Sequence, residues 1–419
     1  MMDLPAVFAA AMAELGPFEA SPRLAVGVSG GPDSTALALL AQDWARSRDG
    51  SILALIVDHG LRDNSAVEAT ETAARLASRG IASRVLTLTN LQRGAALAER
   101  ARAARFAVLA EACAAAGILH LLLGHQAADQ AETVAIRWLG GSGPDGLAAM
   151  APLVETGSLR ILRPLLAVSP GQLRAMLAAA GIGWVNDPSN ADKAALRPRL
   201  RLLRGDRDGV GAATAALVDS AAAANRQRIR AAAATAAWLA ARVTLRPEGF
   251  ALLPDEAMPP AALAGLIQTI GGAAYPPPTE SVASLAQAPR AATLAGVRLL
   301  PAGRMGPGWL MLREAAAMAP PVPARAGALW DGRFRLTASA QLPPDATLGA
   351  VGADSARLRR LSTLPAAVLC ALPALRQGDA LLAVPHLGYP SDAACADANV
   401  VFSPPRPAAG AATFANGDA

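Results

Sequence analysis

An apolar run, Leu24–Val28, leads directly into Ser29-Gly30-Gly31-Pro32-Asp33-Ser34, and a stretch of helical length follows. Strand, tight glycine turn and helix in that order leave few folds open. Two glycines let the backbone turn sharply and present its N–H groups with no Cβ in the way. Those amides, the Ser29 and Ser34 hydroxyls and the positive end of the coming helix make an anion site. Asp33 is unfavourable beside bare phosphate, so its presence predicts a magnesium ion between carboxylate and phosphates. The plain alternative is an ordinary Gly-Pro turn, which the strand–loop–helix setting disfavours. The spacing matches neither GxxxxGK[ST] nor GxGxxG.

The same alternation continues to about Leu166. Leu24–Val28, Ile52–Val57, Arg84–Leu88 and Ile118–Gly124 read as strands, with Arg160–Leu162 as a fifth. Helix-length segments lie between them near Ser34–Arg46, Ala66–Arg79, Ala95–Ala116 and Ala128–Leu139. Near-continuous apolar strands alternating with helices predict an α/β fold built on a doubly wound parallel sheet. Ligands of such sheets sit beyond the carboxyl ends of the strands. That rule points to Ser29–Asp33, Asp58–Arg62 and Gly124–Asp129.

The pattern changes after Gly205. Ala212–Val243 is an alanine-rich helical stretch, Val297–Pro301 and Trp309–Arg313 suit a hairpin, and Pro320–Pro323 reads as a joint. The expected layout is a catalytic domain over 1–205, a helical middle domain over 206–318 and a small mixed or β region over 319–403. Pro404–Ala419 reads as a loose tail.

A hydrophobic content of 53% suggests a membrane protein at first. Much of it is alanine, however, and no window holds eighteen consecutive apolar residues, so a soluble protein is expected. Met1–Met12 lacks the basic start of a secretion signal, which predicts a cytoplasmic location. Cys113, Cys370 and Cys395 lie far apart, as do the four histidines, so no zinc or iron–sulfur spacing is visible. The formal net charge of +5 favours an acidic partner without naming one.

Further motifs follow the strands. They are Val57-Asp58-His59-Gly60-Leu61-Arg62, Ala101-Arg102-Ala103-Ala104-Arg105-Phe106, and Gly124-His125-Gln126-Ala127-Ala128-Asp129-Gln130-Ala131-Glu132-Thr133. Gly141-Ser142-Gly143, Arg163-Pro164-Leu165-Leu166 and Asn186-Asp187-Pro188-Ser189-Asn190, then an arginine series, complete the set. The glycine loop resembles the SGGxDS signature of the PP-loop ATP pyrophosphatases, which cut ATP between its α and β phosphates. The whole order and spacing resembles the tRNA(Ile)-lysidine synthetases, specifically across Leu24–Arg204 and more weakly at Leu329–Asp331 and Ala383–Tyr389.

The resemblance implies a carbon–nitrogen ligase. ATP adenylates O2 of the cytidine at the first anticodon position of an isoleucine tRNA with a CAU anticodon, and the amine of L-lysine then displaces AMP. It implies Ser29, Gly30, Gly31, Pro32, Asp33, Ser34 and Asp58 for ATP, and Asp33 and Asp129 for Mg2+. His125 and Asp129 are expected beside the target base, with Arg105 and Arg197 close by. Read without the family, His125 ends a strand and Asp129 falls in the first turn of the next helix, where an extruded base meets both. Ala128 stands where the family usually has a first acid, so metal binding is left to Asp33 and Asp129.

From Arg197 to Arg246 there are ten arginines against three acids. Arg199, Arg201 and Arg204 are expected to follow an RNA backbone, while Arg242 and Arg246 suit a solvated face. Trp330, His386 and Tyr389 are further candidates for gripping tRNA. The competing readings are a tRNA thiolase, disfavoured by its isolated cysteines, and a catalytically silent ATP- or RNA-binding protein, suggested by Ala128.

Overall fold

The computed structural model describes residues 3–60, 64–88, 97–156, 158–185, 199–200, 205–338, 342–389, 398–404 and 406–410. The chain forms two compact units, Met1–Arg230 and Ala231–Ala412.

In the first unit, strands β1 (Arg23–Val28), β2 (Ser51–Asp58), β3 (Ala82–Thr87), β4 (His120–Leu123), β5 (Leu153–Glu155) and β6 (Arg160–Leu162) form one sheet in the order β3-β2-β1-β4-β6-β5. All neighbours are parallel except β5, which runs antiparallel to β6. The helices are α1 (Leu4–Glu14), α2 (Pro32–Arg46), α3 (Ser65–Ala77), α4 (Leu97–Ala115), α5 (Ala127–Leu139), the short α6 (Pro144–Leu147) and α7 (Pro170–Ala179). Side chains of β1 alternate between two cores, as strand geometry requires. Leu24, Val26 and Val28 join Leu37, Leu40 and Leu173 on one face. Ala25 joins Leu109, Ala112 and Leu121 on the other. The sheet is therefore doubly wound. β1 lies between β2 and β4, so the crevice of the fold opens at the end of β1, where the glycine loop sits.

The second unit starts inside a helix that runs unbroken over Ala212–Arg242. A five-stranded antiparallel sheet follows, built from Thr244–Arg246, Phe250–Leu253, Trp309–Arg313, Val297–Pro301 and Ala292–Leu294 in spatial order. Helices Pro260–Gly271 and Thr279–Gln287 cover it through Leu263, Leu266, Ile267 and Leu285. The stretch expected to be helical thus carries a sheet as well. Its hairpin Val297–Pro301/Trp309–Arg313 forms with the strand limits predicted. Smaller sheets of four and three strands complete the unit. A finer division at 205, 318 and 403 stands as a proposal.

Two expectations are corrected here. Trp330 is fully buried and its Nε1–H donates to the Ala319 carbonyl, so it is core rather than an RNA contact. Its neighbour Asp331 takes ion pairs from Arg313 and the fully buried Arg333. Residues 406–410 are not loose: Ala408 and Ala409 pack on the core beneath helix Pro260–Gly271, and Thr269 Oγ1 donates to the Arg406 carbonyl at 3.4 Å. Gly265 makes this docking feasible, because a Cβ there would collide with the Ala408 carbonyl. Residues 411–419 lie outside the described residues.

Candidate active site

The glycine loop is held by its own hydroxyls. The Ser29 N–H donates to Ser34 Oγ at 3.1 Å, and Ser34 Oγ donates to the Gly31 carbonyl at 3.2 Å. Thr35 Oγ1 donates to the same carbonyl at 2.8 Å. Gly31 is the N-cap of α2 and supplies no side-chain cap, so the first N–H groups of the helix face the loop. Gly30 adopts φ +81°, and a Cβ there would sit 2.5 Å from Thr72 Oγ1. Pro32 opens the helix at a position where its missing N–H costs nothing, and Asp33 follows in the first turn. The Gly30 carbonyl accepts from Val185 N–H at 2.8 Å, which brings the chain to the loop just before Asn186.

The end of β4 meets this loop directly. A Cβ on Gly124 would lie 3.1 Å from both Cα and N of Ser34. His125 and Asp129 are therefore carried to the edge of the phosphate loop by β4 and α5. Gln126 caps α5: its side chain accepts from Ala128 N–H, and the Gln126 N–H donates to Asp129 Oδ2 at 3.2 Å. One carboxylate oxygen of Asp129 thus orients the turn that presents His125. Ala128 is buried and faces Gly209, whose added Cβ would lie 3.6 Å from the Ala128 Cβ.

Asp58 ends β2 and is buried. It accepts from Gly60 N–H at 3.0 Å, and its hydrogen bond to Ser65 holds its carboxyl below the usual carboxylate range, outweighing burial. It thereby fixes the turn at the end of β2. Arg102 and Arg105 flank Phe106 on α4, with guanidinium carbons 5.1 and 5.8 Å from the ring centroid. Arg105 is open at its surface, yet crowding by the protein and then the Arg102 charge lower its pKa. It stays charged at neutral pH all the same. Among the described residues no three His, Cys, Asp or Glu side chains group to hold a metal. A magnesium ion bound partly by phosphates asks only one or two carboxylates of the protein.

Arg199 is exposed. Arg197, Arg201 and Arg204, with Asn186–Asn190, lie outside the described residues. Arg242 pairs with Glu256 at 2.9 Å and Arg246 with Glu248 at 3.4 Å, on the surface as expected. Arg163, quoted above only as part of a motif, is 8% exposed at the end of β6. Burial, and after it the Arg102 charge, pushes its pKa down to about 10. The sequence signal for it was an arginine directly after the apolar pair Ile161-Leu162 at a strand end.

A family model described as the PP-loop domain matches residues 6–204. The chain is 36% identical over 389 residues to a tRNA(Ile)-lysidine synthase of Ruegeria pomeroyi, an alignment covering 88% of this chain and 90% of that protein. A Mesorhizobium japonicum protein of the same name is 36% identical over 384 residues, covering 86% and 83%. A Bradyrhizobium sp. relative, also so named, is 46% identical over 189 residues, covering 45% of this chain and 53% of the relative.

Proposed function

Since the chain belongs to the tRNA(Ile)-lysidine synthase family, we propose that it makes lysidine by ligating L-lysine to C2 of the first anticodon cytidine of isoleucine tRNA. ATP is consumed to AMP and pyrophosphate. The observation that supports this reading is the contact between Gly124 and Ser34, which brings the turn preceding α5 up to the glycine loop.

The chemistry needs two steps. The cytosine O2 is a poor leaving group, so it first attacks the α-phosphate of ATP and expels pyrophosphate, giving an O2-adenylated base. The lysine ε-amine then attacks C2, and AMP leaves with the oxygen. In the first step the loop amides of Ser29–Ser34 and the N-terminus of α2 stabilise charge on the phosphates. Asp33 and Asp129 would hold Mg2+, which would neutralise part of the triphosphate charge. In the second step the amine, with a reference pKa near 10.4, must lose its proton before attack. We assign that proton to His125, which is expected beside the target base. Arg105, Arg197 and the arginines Arg199, Arg201 and Arg204 bind the anticodon arm and its backbone. A tRNA substrate supports a cytoplasmic location. Among the described residues no helix is long and apolar enough to cross a membrane.

The thiolase alternative is not favoured. Burial raises the Cys113 thiol pKa to about 11, so it is not the thiolate that sulfur transfer needs. Incubating the protein with ATP, labelled lysine and isoleucine tRNA bearing the CAU anticodon tests the proposal. Label should enter the tRNA only with ATP, with one AMP released per lysine joined. ATP consumption with no label transferred would overturn it.

A further inference from the structure

The two steps above leave Arg163 without a task. It follows β6, whose Leu162 pairs with Leu122 of β4, so it stands beside Leu123 and the Gly124–His125 turn. The chain after it returns to the same turn, because the Val168 carbonyl accepts from Ala127 N–H at 2.9 Å. Among the described residues its guanidinium is fixed from one side, where Nη1 donates to the Ala151 carbonyl at 2.8 Å. Nε is buried and makes no hydrogen bond among the described residues. The charge acting on it is another cation, Arg102.

A buried guanidinium without a carboxylate is costly, and breaking such a pair typically destabilises strongly. With Nη1 engaged, the Nε–Nη2 edge is left, and that edge offers two parallel N–H donors to a planar or tetrahedral anion. At 8% exposure, a bulky polynucleotide backbone is a poor match, whereas a small ligand entering the crevice is a good one. The triphosphate has its own site after β1, two strands away, or about 10 Å at ordinary strand spacing. The amino-acid substrate fits better. With its ε-amine at the His125–Asp129 turn, an extended lysine spans roughly 7 Å to its carboxylate. The neighbouring strand end lies about 5 Å off. We infer that Arg163 binds the α-carboxylate of the lysine substrate through its Nε–Nη2 edge and so selects an α-amino acid over a simple amine. This rests on the lysine-ligating reading.

Two experiments test it. In the intact protein, replacing lysine by cadaverine or lysinamide, which lack the carboxylate, should lower kcat/KM at least about tenfold, the usual worth of a charge-assisted pair. In Arg163→Gln the KM for lysine should rise at least about tenfold, with cadaverine used as in the parent. The KM for ATP in tRNA-dependent pyrophosphate exchange should stay within about twofold. Arg163→Lys, which keeps charge but loses the fork, should fall between. A matching rise in the KM for ATP makes this a phosphate contact and overturns the inference. So does an equal loss with lysine and cadaverine, the mark of a structural role, or a rise confined to the KM for tRNA. A parent protein that exchanges pyrophosphate yet joins no lysine overturns the lysine-ligating reading; an unchanged lysine KM in the variants overturns this inference alone.

Discussion

Gly124 packs so tightly on Ser34 that a methyl group on it would come within 3.1 Å of the Ser34 Cα and N. The glycine loop and the turn that presents His125 are thus one packed unit. Gly124→Ala should cost about 1–3 kcal/mol of stability through overpacking and weaken ATP binding. Thermal unfolding and nucleotide titration check both; unchanged ATP affinity would mean that the contact is not transmitted to the loop.

Asp33→Asn keeps shape and removes the charge at the first turn of α2. Pyrophosphate exchange should fall by at least about a hundredfold while tRNA binding holds, because the metal-bound triphosphate loses a carboxylate. Exchange at the parent rate across a magnesium titration would remove Asp33 from the metal site.

Arg199 is exposed and on the basic stretch. Arg199→Ala should weaken tRNA binding and reduce the slope of log K against log salt by roughly 0.7–0.9, one phosphate contact. A slope identical to the parent's would return it to the solvated surface.

His120 lies buried at the opposite end of β4, between Glu19 at 3.0 Å and Arg160. Burial lowers its pKa more than Glu19 raises it. The unfolded chain therefore binds a proton more readily than the folded one below the ordinary histidine value of 6.5. Stability is complete above that pH and is lost as pH falls through the lower folded value. His120→Gln should flatten the loss of Tm measured between pH 7 and 5. His386, shifted the same way by burial, should account for part of the remaining slope.

Asp331→Asn should be costly for a different reason. Asp331 sits at φ +52°, which Asn tolerates, so the backbone is spared. The fully buried Arg333 and the largely buried Arg313 would lose their counter-charge. A cost of about 3–5 kcal/mol is expected in urea unfolding. A change below about 1 kcal/mol would show that the pair is replaceable.

What the sequence disclosed follows from range. The glycine loop is built from contiguous residues, so Ser29–Ser34 and the strand before it could be read directly, and the motifs at strand ends followed from the topology. Strand β5 was missed because three residues, Leu153–Glu155, carry no period of their own and pair only through β6. Asp331 and Arg313 are eighteen residues apart, and nothing local announces their ion pair. Arg163 was quoted as a letter in a motif; its burial depends on Ala151 and the return of the chain at Val168, which only folding brings near. Arg197, Arg201 and Arg204 lie outside the described residues, so their part in the site rests on the family.

The helix Ala212–Arg242 has a practical corollary for anyone cutting this protein into pieces. Ala221 and Leu217 fill the space behind Val134 of α5, whereas Leu239 belongs to the core of the second unit. A polypeptide ending at residue 205 would keep every nucleotide motif and still leave the apolar back of α5 wet, on the helix whose first turn carries Asp129. A piece ending near Arg230 keeps that filling. The minimum catalytic length is set by what props the site from behind, well past the last residue that faces it.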